Sequence, residues 1–104
     1  MSVTRQSKRQ QEKVRTLALD IMHRAMEISQ TTQHDVHCSY HGHTNEISIS
    51  FNTNGFNTTE TVYIKGKYGA HGVYLNDPIN DVLDFFERAN AKLDKLLEAD
   101  TKAA

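Results

Sequence analysis

The apolar positions of this chain change period twice along its length. Between Ser7 and about Thr31, Val14, Leu17, Ala18, Ile21, Ala25 and Ile28 recur at the three- and four-residue spacing of one helix face. Ser7 and Gln10 have the form of a capping box, in which hydroxyl and amide satisfy backbone N–H groups left open at a helix start. Leu19, Met22 and Met26 widen the stripe beyond what a single sheet needs to cover it. Asp20 and Arg24 stand one turn apart, which predicts an ion pair along the helix surface.

After Gln33 the period becomes two. Val36, Cys38 and Tyr40 alternate with His37, Ser39 and His41, and beyond Gly42-His43-Thr44-Asn45 the residues Ile47, Ile49 and Phe51 alternate with Glu46, Ser48 and Ser50. A hairpin turning at that loop pairs Tyr40 with Ile47, Cys38 with Ile49 and Val36 with Phe51. All six apolar side chains then share one face, and His37, Ser39, His41, Glu46, Ser48 and Ser50 share the other. Asn52-Thr53-Asn54-Gly55 predicts a second turn. A third strand over about Thr58–Lys65 follows, with Val62 and Ile64 inward. Gly66-Lys67-Tyr68-Gly69 predicts another turn, and Gly72–Leu75 a short fourth strand. Asp77-Pro78 opens a second helix, the aspartate as cap and the proline at the first helical position. Its inner stripe is Ile79, Val82, Leu83, Phe86, Asn90, Leu93 and Leu97, broadened by Phe85, Ala89 and Leu96, and the pattern fades near Ala99.

The expected architecture is α+β in two layers. An N-terminal helix, an antiparallel sheet of three or four strands and a C-terminal helix follow in order, both helices covering one sheet face. Residues 1–6 and 100–104 are expected to be disordered tails around a single domain over 7–99. The 104 residues suffice for one domain and not two. Hydrophobic residues make up 38% of the chain, with no Trp, a thin supply that leaves room for a partner subunit to complete the core. One cysteine, Cys38, excludes an internal disulfide and suits a reducing, cytoplasmic setting. No apolar run is long enough for a membrane span.

Net charge is −1, which supplies no overall attraction to nucleic acid. The ends differ, however. Arg5, Lys8, Arg9, Lys13 and Arg15 face a single acid, Glu12, in the first fifteen residues, whereas residues 76–104 hold seven acids and four bases. The basic first helix, with Lys65 and Lys67 beside Tyr63 and Tyr68 as a second patch, is the basis of an alternative reading as a nucleic-acid binder.

Candidate chemistry starts with six histidines. His41 and His43 form a His-x-His pair near Glu46, the basis of a second alternative as a metal-binding protein. Cys38 falls on the other strand face and the spacing fits no structural zinc pattern. For the same reason Cys38 and His37 do not form a nucleophile pair. Asp77, Asp81 and Asp84 complement the dipole at a helix start. The glycines 66, 69 and 72 lie between strands, not at the strand-to-helix junction a phosphate loop requires. These features predict no enzyme and no cofactor.

The hairpin Cys38-Ser39-Tyr40-His41-Gly42-His43-Thr44-Asn45-Glu46-Ile47-Ser48-Ile49, in a compact chain with a polar first helix, is similar to small accessory proteins of tailed phages and prophages. That resemblance implies a non-catalytic protein acting on host or phage macromolecules, and it assigns no site residues. The leading expectation is a homodimeric protein-interaction module. Its assembly surface is Leu19, Met22 and Met26 on the first helix with Phe85 and Leu96 on the second. Its partner surface is His37, Ser39, His41 and His43 on the open sheet face and hairpin tip.

Overall fold

The structure, a computed structural model, describes residues 6–52, 61–66 and 71–103, the last five as backbone only. Helix α1 spans Lys8–Thr31. The capping box forms as the sequence predicts: Ser7 Oγ accepts the Gln10 N–H at 3.1 Å, and the Gln10 side-chain oxygen accepts the Ser7 N–H at 2.9 Å. Gln6, expected in a disordered tail, is instead tied down, its side-chain amide donating to the carbonyls of Leu75 and Asp77 at 2.7 Å each. At the far end Thr32 closes the helix, its backbone N–H and its hydroxyl both donating to the Ile28 carbonyl.

Strands β1 (Asp35–His41) and β2 (Glu46–Asn52) pair antiparallel, with Val36 opposite Phe51, Cys38 opposite Ile49 and Tyr40 opposite Ile47. This is the register that hydrophobic alternation requires. Asn45 takes the left-handed conformation that closes the loop (φ 59°), one that asparagine tolerates better than most residues. Strand β3 (Val62–Tyr63) pairs with β2 at Ser50 and Phe51, and β4 (Val73–Tyr74) pairs with it at Glu46 and Ile47. Both lie on the side of β2 away from β1, so β1 is a full-length edge strand. The expected turns at 53–55 and 67–69, and Thr58, lie outside the described residues. Ile64 is buried as expected, but Val62 is 41% exposed, because the helices pack mainly on other strands, α1 on β1 and α2 on β4.

Helix α2 spans Ile79–Ala103. The Pro78 carbonyl accepts its first N–H groups, from Asp81 and Val82. Pro78 therefore stands one position earlier than predicted, and the Asp77 carboxylate turns back to accept the Tyr74 N–H at 3.3 Å. The helix continues past Ala99 to Ala103, with no Gly or Pro in that stretch to stop it.

The two helices and the sheet enclose one core, built from Val14, Ile21 and Ile28 of α1, Ile47 and Ile49 of β2, and Val82, Phe85, Phe86 and Leu93 of α2. Phe85 and Phe86 meet edge to face at 5.9 Å. Arg24 does not pair with Asp20. It reaches across to α2, donating to Asn90 Oδ1 at 2.5 Å and Asp94 Oδ1 at 2.6 Å. A tie between two elements held in place by their shared core explains the preference over a partner on its own helix.

Candidate functional site

Of the apolar residues expected on an assembly surface of both helices, only residues of α1 are exposed. Phe85 is 0% exposed and Leu96 7%, so neither is available to a partner; this corrects their assignment to an interface. The physical reason is that α2 has two walls to bury against, α1 on one flank and the sheet on the other, and its broad apolar face wraps both. Helix α1 lies over the edge strand, and its outward flank has no strand beneath it. There Leu19 is 67% exposed and Met26 53%, with Met22 half-buried between them.

Two hollows follow this flank. The larger, about 900 Å³, is bounded by Val14, Arg15, Ala18, Leu19 and Met22 of α1, by Tyr40 and Ile47 of the hairpin, and by Leu75 and Asn76. The smaller, about 410 Å³, is bounded by Met22, Met26 and Ser29 of α1 and by Asp35, Val36, His37 and Cys38 of β1. Met22 borders both: the smaller runs along the free edge of the sheet beside β1, and the larger continues the line beneath α1 to Ile47, Leu75 and Asn76. Arg15 is the charged residue of the first, and Asp35, held by His37 Nε2 at 3.0 Å, is that of the second.

The backbone beside this line carries its own signal. Ser29 Oγ accepts the Val36 N–H at 2.9 Å and donates to the Val36 carbonyl at 3.3 Å. Val36 therefore points its backbone groups away from β2. On the partner strand the Ile49 carbonyl likewise points away, accepting the Ile64 N–H at 2.9 Å. Antiparallel pairs alternate, so the backbone groups of Cys38 and Tyr40 also face outward. Among the described residues nothing covers them as Ser29 covers Val36. Sequence reasoning placed Tyr40 in the core. It is 50% exposed, its hydroxyl donating to Asn45 Oδ1 at 2.8 Å, because it stands on the edge strand at the rim of the larger hollow and is not packed under α1. Ser29 had no sequence signal, since its role depends on the return of β1 past the end of α1.

The open sheet face carries exposed His37, Ser39 and His41, with His43 exposed at the turn. Ser50, expected to be wet, is buried; Tyr63 lies opposite it, its ring stacked on His71 at 4.3 Å. Among the described residues no group of three or more His, Cys, Asp or Glu side chains could hold a metal ion, so His41 and His43 lack the third donor that a metal site needs. The acidic trio also disperses: Asp77 holds the Tyr74 N–H and Asp84 pairs with Arg88 at 3.0 Å. Lys8, Arg9, Lys13 and Arg15 are exposed, but at 3.6 residues per turn Lys8 and Arg15 point to one side of α1 and Arg9 and Lys13 to another. They form no single phosphate-tracking stripe. Lys65 is exposed on a separate segment, and Arg5 and Lys67 lie outside the described residues.

Burial on the helix-facing side pushes the Cys38 thiol up to about 11 from its usual 9.0. Its thiolate fraction below pH 9 is then about a hundredfold below that of an ordinary cysteine. Alkylation of the native protein at pH 8 should be slower than in urea by about that factor, on the order of 100. Equal rates would show an accessible, activated thiol.

No family model, no curated protein and no solved structure matches this chain. No helix among the described residues is long and apolar enough to cross a membrane.

Proposed function

We propose that this protein is a non-catalytic protein-interaction module that works as a homodimer. The observation that carries the reading is the uncovered flank of α1: Leu19 and Met26 stand open to water beside a half-exposed Tyr40, whereas the other large aliphatic side chains described on the helices are buried or half-buried. Apolar side chains grouped on one side of an element and bordered by hollows are the mark of a contact surface. Leu19, Met22 and Met26 are spaced by three and four residues, the seam along which one helix packs on another. The likeness of the hairpin to phage accessory proteins favours a host or phage protein as the further partner, met by the open sheet face with His37, Ser39 and His41. A nucleic-acid role has less support, because the basic side chains of α1 diverge around the helix.

Light scattering on the eluting protein tests the reading. The wild-type chain should run at twice its monomer mass. The double substitution Leu19→Asp, Met26→Asp should run as a monomer that keeps the wild-type circular-dichroism spectrum, since both side chains face water in a single copy. A wild-type protein that stays monomeric at every concentration tried would refute the homodimer.

A further inference from the structure

We propose that two copies join edge to edge through β1, making one continuous sheet across a two-fold axis at Ser39. This rests on the dimer reading above and specifies how the dimer is built.

The open stretch of the edge is self-complementary. It begins after Val36, whose outward N–H and C=O are taken by Ser29, and it ends at the turn that starts with Gly42. Between them only Cys38 and Tyr40 present outward backbone groups. An antiparallel copy centred on Ser39 sets Cys38 opposite Tyr40 of the second copy, and Tyr40 opposite its Cys38. Residues opposed in this way exchange both of their N–H···O bonds. The same register sets Val36 against the turn, where no bond is needed. The match thus uses every open group and strains none already satisfied.

Edge strands are normally defended by a lysine, a proline, a bulge or a covering element. Strand β1 has no Lys or Pro, and its pairing with β2 runs residue for residue without a bulge. Among the described residues its one cover is Ser29. The opposite margin of the sheet, by contrast, consists of the two-residue strands β3 and β4.

The side chains agree with the same axis. Met22 borders both hollows, so it lies near the level of the axis, with Leu19 toward one end and Met26 toward the other. Two antiparallel α1 helices related by that axis bring Leu19 of one copy toward Met26 of the other. A strand from an unrelated protein could use the backbone edge, but the seam of Leu19, Met22 and Met26 beside it is repeated, in reverse, only by a second copy.

Disulfide trapping reads the register. Ser39 faces its own symmetry mate in a non-hydrogen-bonded pair, where Cα atoms stand about 4.5 Å apart, within the roughly 4.4–6.8 Å that a disulfide spans. Cysteine is placed at Ser39, at His43 or at Met22, each in the full chain with Cys38→Ala, and cross-linking under mild oxidation is followed on non-reducing gels. Circular dichroism confirms that each variant folds. Ser39→Cys should cross-link at least about tenfold faster than His43→Cys at the exposed hairpin tip, which reports random collision, because a shared interface raises the effective concentration of the thiols. A dimer by light scattering that traps through Met22→Cys but not through Ser39→Cys overturns the strand pairing and leaves the interaction module standing. A protein that is monomeric and traps at neither site overturns both.

Discussion

Phe85→Ala should lower the unfolding free energy by about 3–5 kcal/mol, the cost of removing a large aromatic side chain from a packed core. Phe85 has no exposed surface and meets Phe86 edge to face. The substitution removes its transfer free energy and leaves a cavity between α1, α2 and the sheet that the neighbouring side chains fill only in part. A domain of this size holds only about 5–15 kcal/mol in all, so the variant should be close to unfolded at body temperature. Leu19→Ala supplies the contrast. Its side chain is mostly in water, so the stability of a single copy should change by no more than about 0.5 kcal/mol. Urea melts of both variants at low concentration check the pair. A loss below about 1 kcal/mol for Phe85→Ala would mean that α2 does not enclose its aromatic face.

Gly72→Ala should cost about 3 kcal/mol, the upper end of what overpacking costs, far more than the same change at Gly42, where a Cβ meets only the Tyr40 ring at 3.7 Å. Gly72 is buried just before β4, and an added Cβ would run into the carbonyl oxygen of Ile47, with the Ile47 carbonyl carbon and Ser48 Cα only 3.2 Å away. These are backbone atoms of the central strand and cannot rotate aside. The last glycine of the cluster at 66, 69 and 72 therefore has a plain cause: close approach of two backbones, with β4 seated on Ile47 through Val73. Thermal unfolding measures the cost. Loss of the β4 pairing should also loosen the entry to α2, visible as faster amide exchange at Leu75, whose N–H donates to the Asn45 carbonyl at 2.8 Å. A wild-type melting temperature in Gly72→Ala would show that β4 does not sit against β2 in this way.

Much of this fold was legible in the residues alone, wherever a choice depended on near neighbours. The capping box at Ser7 needs only Gln10, and the β1–β2 register needs only the alternation of Val36, Cys38 and Tyr40 against Ile47, Ile49 and Phe51. The period of two also separated the histidines from Cys38, which was enough to argue against a thiol–imidazole pair. Helix α1 and the start of α2 fell within a residue or two of their expected bounds for the same reason.

What the residues could not decide was which apolar surface would be covered. Leu19, Met26, Phe85 and Leu96 look alike as broadeners of two helical stripes, yet Leu19 and Met26 face water and Phe85 and Leu96 do not. Nothing local separates them. The difference arises because α2 settles between α1 and the sheet, whereas α1 lies over a strand with no neighbour beyond it. Arg24 follows the same logic, with partners four residues away or on another helix, and only the packed arrangement chose Asn90 and Asp94. Local pattern determined the elements and their faces, because periodicity is set by backbone geometry. Tertiary structure decided what remained open at Leu19, Met26 and the edge of β1, because burial depends on what lies opposite, and that is set by how the layers stack.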